Sequence, residues 1–445
     1  MKDFRSYFKG KKVTVMGLGL LGKRLGDIAF LAECGAKVLV TDLKSAKELA
    51  PSIKKLGKYN NIEYVLGGHR LEDFENKDFI LKGQGVAFDS PYIAHARFKN
   101  IPIEMDESLF AKFAPKVKII GVTGTHGKST TTVLIYEILK QYFNNLSTKL
   151  GIKKPRVFLG GNIKNTAALL LLKEVKDGDV VVFELSSWQL QGFGEAGISP
   201  HISVFTNFMP DHMNYYQNSL KQYFDDKAYI YKFQKENNFL VLGPNMKDKI
   251  QDTKSRIINA DIETIPKDWK IKLEGRHNLE NIACALEVVK LLEVPEKITK
   301  KVVESFETVE GRLELVKTVR GIKIYNDTNS TTPETTVAAL HSFKKNAILI
   351  MGGMDKGLDL THLNKILSNK TKNVFLTPGS GSDKINNQKA KIRKVENLKE
   401  AVLCAWKIAK KSDVILFSPG FASLNMFKNE YDRGDQFMKI VKSLK

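Results

Sequence analysis

Val117-Lys118-Ile119-Ile120-Gly121-Val122-Thr123-Gly124-Thr125-His126-Gly127-Lys128-Ser129-Thr130-Thr131-Thr132-Val133-Leu134-Ile135-Tyr136-Glu137-Ile138-Leu139 is the stretch that decides the fold. Its first six residues form an apolar run of buried-strand character, and from Ser129 onward the pattern reads as a helix. The glycine-rich turn between them aims backbone N–H groups and the positive end of a helix dipole at one spot, where an anion binds. Lys128 adds a mobile positive charge for outer phosphates, and the Ser129 hydroxyl is the expected magnesium contact. The spacing is compressed relative to the standard phosphate loop: Gly124 lies only four residues before Lys128, and Gly127 adjoins the lysine. A plain glycine turn with an exposed lysine is the bland alternative. The strand–loop–helix context argues against it and points to ATP.

On the N-terminal side, strand and helix alternate. Lys12–Met16 reads as a strand, Lys23–Cys34 as a helix and Lys37–Thr41 as the next strand, ending at Asp42. Gly17-Leu18-Gly19-Leu20-Leu21-Gly22 lies between the first two and matches the dinucleotide fingerprint. Asp42 follows 20 residues after Gly22, where it can meet a ribose or uridine hydroxyl. This motif alone says that a nucleotide can bind, not which one; an empty tight turn is the competing reading. On the C-terminal side, the apolar strand Asp179–Phe183 delivers Glu184 at its carboxyl end, where carboxylates hold magnesium beside a phosphate loop. Ile202–Thr206 is another strand, followed by Asn207 and Pro210-Asp211-His212. A third alternating segment begins near Arg312, with strands Ile322–Tyr325, Ala347–Met351, Val374–Leu376 and Val414–Phe417. The expected fold class is α/β in three domains. These are a Rossmann-like N-terminal domain (1–105), a central P-loop ATPase-like domain with a mostly parallel sheet (106–309), and a Rossmann-like C-terminal domain (310–445).

The 445 residues suit two or three domains, each with its own core. A hydrophobic share of 42% is that of an ordinary globular protein. The longest aliphatic run, Ala167–Leu172, falls far short of the roughly 20 residues that span a bilayer. The start Met1-Lys2-Asp3-Phe4-Arg5 lacks an apolar core, so no signal peptide is expected. Cys34, Cys284 and Cys404 have neither metal nor redox spacing and read as free thiols of a cytoplasmic protein. The net charge of +21 would suit nucleic acid, but the lysines are dispersed, with no long basic tract and no interleaved aromatics. A phosphorylated small-molecule substrate accounts for the charge as well, so no nucleic-acid partner is expected.

Taken together, these segments resemble the Mur ligase family, ATP-dependent enzymes that build the peptide stem of bacterial peptidoglycan. The resemblance spans almost the whole chain and rests on motifs in fixed order. These are Gly17–Gly22, Gly124–Thr130, Gly160-Gly161-Asn162, Glu184–Gln189 and Thr206–His212, then Gly275-Arg276-His277-Asn278 with Asn281. Glu310-Gly311-Arg312, Asn326-Asp327-Thr328 and Ser418–Phe437 complete the series. The histidine of the phosphate loop is similar to the L-alanine-adding branch. Against that, Asn326-Asp327-Thr328, the terminal motif and the compact N-terminal domain resemble the branch that adds D-glutamate to UDP-N-acetylmuramoyl-L-alanine. A Rossmann NAD-dependent oxidoreductase leaves the phosphate loop, Glu184 and Lys227 unexplained. A nucleic-acid-stimulated ATPase rests on charge alone.

The resemblance implies a division of labour. The first domain would bind the UDP-substrate, the second ATP, and the third the incoming amino acid, in a protein that acts as a monomer without membrane insertion. Gly124, Thr125, His126, Gly127, Lys128, Ser129 and Thr130 would hold the phosphates, Asn278 and Asn281 the adenine, Asp327 the ribose, and Arg312 the phosphates from the third domain. Two Mg2+ ions are implied, one on Ser129 and Glu184, one on His212 and Lys227. A lysine is cationic and offers no acceptor, but in these enzymes the matching lysine is carbamylated by carbon dioxide and becomes an oxygen ligand. Lys227 stands fifteen residues after His212, where an exposed helical lysine is the local alternative. Lys128, Glu184, His212, Lys227 and Arg312 would carry the catalysis. Leu20, Leu21, Asp42, Lys44 and Gly85 would meet the uridine diphosphate, and Asn162, Ser186, Gln189 and His212 the sugar and alanyl end. Thr331, Lys356, Ser423 and Leu424 would meet the incoming glutamate. The chain departs from the family at three places: Asn329 where relatives often carry lysine, Gly83-Gln84-Gly85 in the diphosphate loop, and Glu430 where some relatives have an aromatic residue.

Overall fold

The computed structural model describes residues 3–19, 23–86, 89–114, 116–150, 155–163, 167–213, 215–250, 252–273, 275–423 and 426–444, with backbone only over 147–150. Leu20, Leu21 and Leu424, expected at the substrates, lie outside the described residues.

Apolar runs with no alternation are the mark of parallel strands covered on both faces, and here they assemble into three sheets. The first contains β1 (Lys12–Met16), β2 (Lys37–Asp42), β3 (Ile62–Leu66), β4 (Phe79–Lys82) and β5 (Ile103–Glu104), all parallel, in the order β3-β2-β1-β4-β5. The second contains β6 (Lys118–Thr123), β7 (Val157–Gly161), β8 (Val180–Glu184), β9 (Ile202–Phe205), β10 (Phe239–Leu242) and β11 (Arg256–Asn259). Its strands are also parallel, in the order β11-β10-β9-β6-β8-β7. The third contains β12 (Glu314–Val319), β13 (Ile322–Asn326), β14 (Ala347–Met351), β15 (Thr371–Leu376), β16 (Ile392–Lys394) and β17 (Val414–Phe417), in the order β12-β13-β17-β14-β15-β16.

The expected strands appear with boundaries shifted by a residue or so, except that β15 starts three residues earlier, and the phosphate-loop helix begins at Lys128. One element runs against expectation. β12 is antiparallel to β13, joined to it by Arg320 and Gly321, both at positive φ (+52° and +73°), as a two-residue hairpin of primed type requires. An arginine at the first turn position gives little sequence signal of such a hairpin.

The first two sheets share one apolar core that runs without interruption from Phe8, Val13 and Val15 through Phe110 to Phe183, Leu190 and Phe205. The third sheet keeps its own cores, one on each face, around Leu349, Leu367 and Leu416 and around Ile350, Ile415 and Phe437. Among the described residues no helix is long and apolar enough to cross a membrane.

Candidate functional site

Three adjacent strand ends deliver the site. β6 lies between β8 and β9, so the phosphate loop, Glu184 and Thr206 leave the sheet side by side at its carboxyl edge, where open α/β sheets bind ligands. Gly124 (φ +146°) and Gly127 (φ +80°) adopt conformations that side chains rarely allow. A Cβ on Gly124 would lie 1.9 Å from Thr206 Oγ1, and one on Gly127 2.0 Å from Asn281 Oδ1. The segment after β9 clamps the loop: the Asn207 carbonyl accepts the Thr125 N–H at 3.0 Å, Asn207 Oδ1 accepts the His126 N–H at 2.8 Å, and Thr206 Oγ1 donates to the His126 carbonyl at 2.6 Å.

Two lysines converge on one carbonyl. Lys128 Nζ at 2.9 Å and Lys227 Nζ at 2.8 Å both donate to Gly124 O. Lys227 is 1% exposed, comes from the helix Leu220–Ala228, and lies over the Tyr223 ring. Burial above all, then the Lys128 charge, pushes its amine well below the ordinary lysine range, against the pull of Asp211, Asp226 and Glu184. Burial lowers Lys128 as well, opposed by the Glu184 carboxylate. Lys227 is therefore no surface lysine. It is a buried amine inside the phosphate-loop site, its hold on a proton weakened by burial.

Glu184 closes β8 at 2% exposure. Its Oε1 accepts from Asn162 Nδ2 at 3.2 Å, while Oε2 is buried with no hydrogen-bond partner. An orphaned carboxylate oxygen is costly unless a cation takes it. With the Ser129 hydroxyl nearby on the loop, the donor set fits a magnesium ion that also takes phosphate oxygens. Among the described residues no three His, Cys, Asp or Glu side chains form a ready cage. His212 (φ +55°) has Nε2 3.4 Å from Asp211 Oδ2 and its ring against Trp188. Burial pulls its imidazole down to about 4 in spite of Asp211, leaving it neutral at pH 7 and able to offer a lone pair. Burial likewise takes His126 down to about 3.

A cavity of about 300 Å³ opens over the loop. One wall is His126, Gly127, Ser129 and Thr130; another is Asn278 and Asn281 on the helix Arg276–Leu291; the third is Arg312, Leu313, Asp327 and Ser330 from the C-terminal sheet. Eight of the eleven residues expected to meet one nucleotide thus border one cavity, although some 200 residues separate them in sequence; Gly124, Thr125 and Lys128 lie in the same loop but not in the cavity wall. Arg312 donates through Nη1 to the Asn329 carbonyl at 3.3 Å, and its Nε is buried without a partner, a guanidinium with capacity for an anion. Asp327 is more committed than expected. Its Oδ1 accepts the Leu313 N–H at 3.1 Å, and its Oδ2 accepts from Ser418 Oγ at 2.8 Å and from Ser330 Oγ. Burial lifts its carboxyl to about 6. Lys356 Nζ stands 3.5 Å from Asp211 Oδ1 and 3.2 Å from Thr331 Oγ1, so of the residues expected at the incoming amino acid Lys356 reaches the segment after β9 and Thr331 supports it.

Sequence reasoning missed Glu334, Thr335, Ala338 and His277 in the cavity wall. Thr332-Pro333-Glu334-Thr335, a capping threonine followed by proline, was the available signal for the helix Pro333–His341 that presents three of them. It also gave no task to Arg433, which is 1% exposed and staples two loops, donating to Thr328 O at 2.7 Å, Thr328 Oγ1 at 3.2 Å and Phe421 O at 3.1 Å. Ser423 is buried beside this staple.

The remaining expected contacts lie elsewhere. Asp42 spends its carboxylate on its own domain, Oδ2 accepting the Leu18 N–H at 2.8 Å and the Gly19 N–H at 3.2 Å, Oδ1 the Lys44 N–H at 2.9 Å. It organises the glycine turn. Lys44 and Gly85 are exposed. The Asn162 N–H donates to the Glu184 carbonyl at 2.8 Å, which sets it beside the carboxylate. Ser186 caps the helix Ser187–Ala196 with Gln189 as its reciprocal partner, and the fully buried Gln189 amide turns to Glu107. Of the departures from the family pattern, Asn329 donates to the Glu310 carbonyl at 2.9 Å, fixing the loop that carries Arg312.

Family models match three segments: the Mur ligase MurD-like N-terminal domain over residues 11–104, the Mur ligase middle domain over 122–268, and the Mur ligase glutamate ligase domain over 311–421. The chain is similar to curated proteins named UDP-N-acetylmuramoylalanine–D-glutamate ligase. That of Borreliella afzelii is 36% identical over 98% of either chain, and that of Roseiflexus sp. is 33% identical over 98% of this chain and 99% of its own. Among solved structures, UDP-N-acetylmuramate–alanine ligase MurC of Thermotoga maritima matches with a TM-score of 0.62 at 20% identity, over 98% of this chain and 100% of that one. MurF ligase of the same organism, in complex with ADP, matches with a TM-score of 0.60 at 18% identity, over 99% and 98%. At these identities the structures speak for the fold alone.

Proposed function

The chain belongs to the Mur ligase family, and from that premise we propose that it is the ATP-dependent ligase that joins D-glutamate to UDP-N-acetylmuramoyl-L-alanine in peptidoglycan precursor synthesis. The observation that carries the reading is the single cavity in which phosphate loop, Asn278, Asn281, Arg312 and Asp327 meet, beside the unpartnered oxygen of Glu184. The names of the relatives supply the substrates. Residues 1–105 take the UDP-substrate, 106–309 ATP, and 310–445 the amino acid.

A carboxylate needs a leaving group before an amine can displace it. The alanyl carboxylate oxygen attacks the γ-phosphorus and the bond to the β-phosphate oxygen breaks, giving an acyl phosphate and ADP. The D-glutamate amine then attacks the acyl carbon, loses a proton, and phosphate departs. Little of this is covalent work for the protein, which must place anionic groups and neutralise their charge. Lys128 and the loop amides grip the β- and γ-phosphates, and Arg312 reaches them from the C-terminal sheet. Ser129 and Glu184 would hold one magnesium ion, His212 and Lys227 a second. Bound there, magnesium supplies positive charge to the transferring phosphoryl oxygens. Lys356 and Thr331 receive the glutamate carboxylates, Lys356 exchanging Asp211 for the substrate.

Lys227 fits a metal only after its charge is inverted. Its depressed amine is a nucleophile for carbon dioxide: nitrogen attacks the carbon, a proton is released, and a carbamate oxygen replaces the donor that now points at Gly124 O. Lys227→Ala should be almost inactive and partly rescued by acetate. Native protein equilibrated with carbon-13 bicarbonate should show a carbamate carbon resonance that Lys227→Ala lacks; its absence from the native protein would remove the carbamate.

We infer a monomer of the cytoplasm, a compartment that three free cysteines suit. The deciding experiment is phosphate release with UDP-N-acetylmuramoyl-L-alanine and each candidate amino acid. D-glutamate should give product. Turnover with L-alanine or a diamino acid in its place would move the chain to a sibling activity.

A further inference from the structure

We propose that Glu334 is the acceptor for a hydroxyl of the nucleotide ribose, a task that the family resemblance gives to Asp327. The assignment rests on the ATP reading of the cavity. Asp327 already takes three hydrogen bonds from Leu313, Ser330 and Ser418, leaving about one of its four acceptor positions. Glu334 lines the same cavity, and its Oε2 is buried with no hydrogen-bond partner. A buried acceptor of this kind demands a donor.

The cavity limits which donor that is. Phosphate groups belong at Gly127–Thr130, and a carboxylate repels them. Asn278 and Asn281 on one helix and the small side chains of Ala338 and Ala339 on another line the part of the cavity where the base would lie. Glu334 precedes Ala338 by one helical turn, about 6 Å along the axis, and lines the cavity together with Ser330 and Asp327 of the same C-terminal domain. One turn from the alanines and in the same wall as Asp327, it is placed at the level that the resemblance gives to the sugar. The hydroxyls there are the only donors a nucleoside diphosphate offers at that height.

Titration calorimetry with ADP, 2′-deoxyADP and 3′-deoxyADP tests this on the intact protein, without turnover. A hydrogen bond from a hydroxyl to a charged acceptor corresponds to about tenfold or more in affinity. At least one deoxynucleotide should bind that much more weakly than ADP to the native protein. In Glu334→Ala that gap should close, with ADP falling to the level of the deoxynucleotide, and in Glu334→Gln it should narrow. Equal binding of all three nucleotides by the native protein overturns the assignment, as does a gap that persists in Glu334→Ala, which returns the ribose to Asp327. Failure of ADP itself to bind would instead strike the ATP reading on which the assignment depends.

Discussion

The two seams of this molecule are built on opposite principles. Between the first and second sheets the apolar core is continuous, and the charged groups at that boundary pair with one another, although Arg24 Nη1, Asp27 Oδ2, both Asp106 oxygens and Glu107 Oε2 make no hydrogen bond. Lys23, at the start of the helix after the glycine fingerprint, pairs with Asp106 at 3.2 Å and with Glu107, and donates to the Gly161 carbonyl at 3.1 Å. Arg24 stands 3.9 Å from Asp106 and 4.0 Å from Asp27, whose Oδ1 accepts the Leu169 N–H at 3.1 Å. Between the second and third sheets there is no shared apolar core among the described residues. That seam holds a cavity, the Lys356–Asp211 pair, and polar atoms left without partners on Glu184, Arg312 and Glu334. Charges of opposite sign paired beside a continuous apolar core hold two sheets together as one body. Unpartnered atoms around a cavity, with no apolar core behind them, mark where a ligand completes the structure and where a domain could move.

The sharpest way to break this contrast is to mutate one cation on each side. Lys23→Met leaves Asp106 and Glu107 buried together without their shared partner, and should cost about 3–5 kcal/mol of stability. Denaturant unfolding followed by circular dichroism measures it. A loss below about 1 kcal/mol would mean that the cluster is solvated and the seam is not a weld. Lys128→Ala belongs to the other kind. It should fold as the native protein does, yet raise the barrier by roughly 3 kcal/mol, as loss of one preorganised charge at a reacting group does. Near-normal phosphate release from a folded Lys128→Ala protein would remove the loop from the chemistry.

A finer test uses pH. Burial, then the charge of Asp106, pushes the Glu107 carboxyl up to about 7. The folded state therefore holds a proton that the unfolded chain, with an ordinary glutamate near 4.3, releases. The stability this contributes is complete below about pH 4.3 and is lost as pH rises through 7, at up to about 1.4 kcal/mol per pH unit per proton. Melting temperatures from pH 5 to pH 8 should decline less in Glu107→Gln than in the native protein. Identical slopes would show that Glu107 does not titrate in this window.

The chemistry-bearing loops were legible because local physics produces them. An apolar strand, glycines at positive φ and a helix start make a phosphate loop wherever they occur in that order, and a carboxylate closing a buried strand is presented at the sheet edge. The same holds for most parallel strands, which need no partner to be recognised as buried. Other features could not be read this way. The β12–β13 hairpin turns on two residues with positive φ, one of them an arginine, and no local preference announces it. Asp42 and Gln189 carry the right residue types for ligand contacts, yet their acceptors and donors are claimed by Leu18, Gly19, Lys44, Ser186 and Glu107.

What the sequence determined by itself was therefore the set of groups able to hold phosphates, a cation and a nucleotide, together with the α/β character of the chain, since both follow from short-range patterns of burial, turn and charge. Only the tertiary structure decided which of those groups remain available. Whether a carboxylate oxygen such as Glu184 Oε2 or Glu334 Oε2 is buried without a donor, while Asp327 and Asp42 each take three hydrogen bonds, depends on donors brought from distant segments. So does the depressed amine of Lys227, which exists because folding buries it and sets Lys128 against the same carbonyl oxygen. Hydrogen-bond saturation and desolvation are properties of a place in the fold, and the residue acquires them only on arrival.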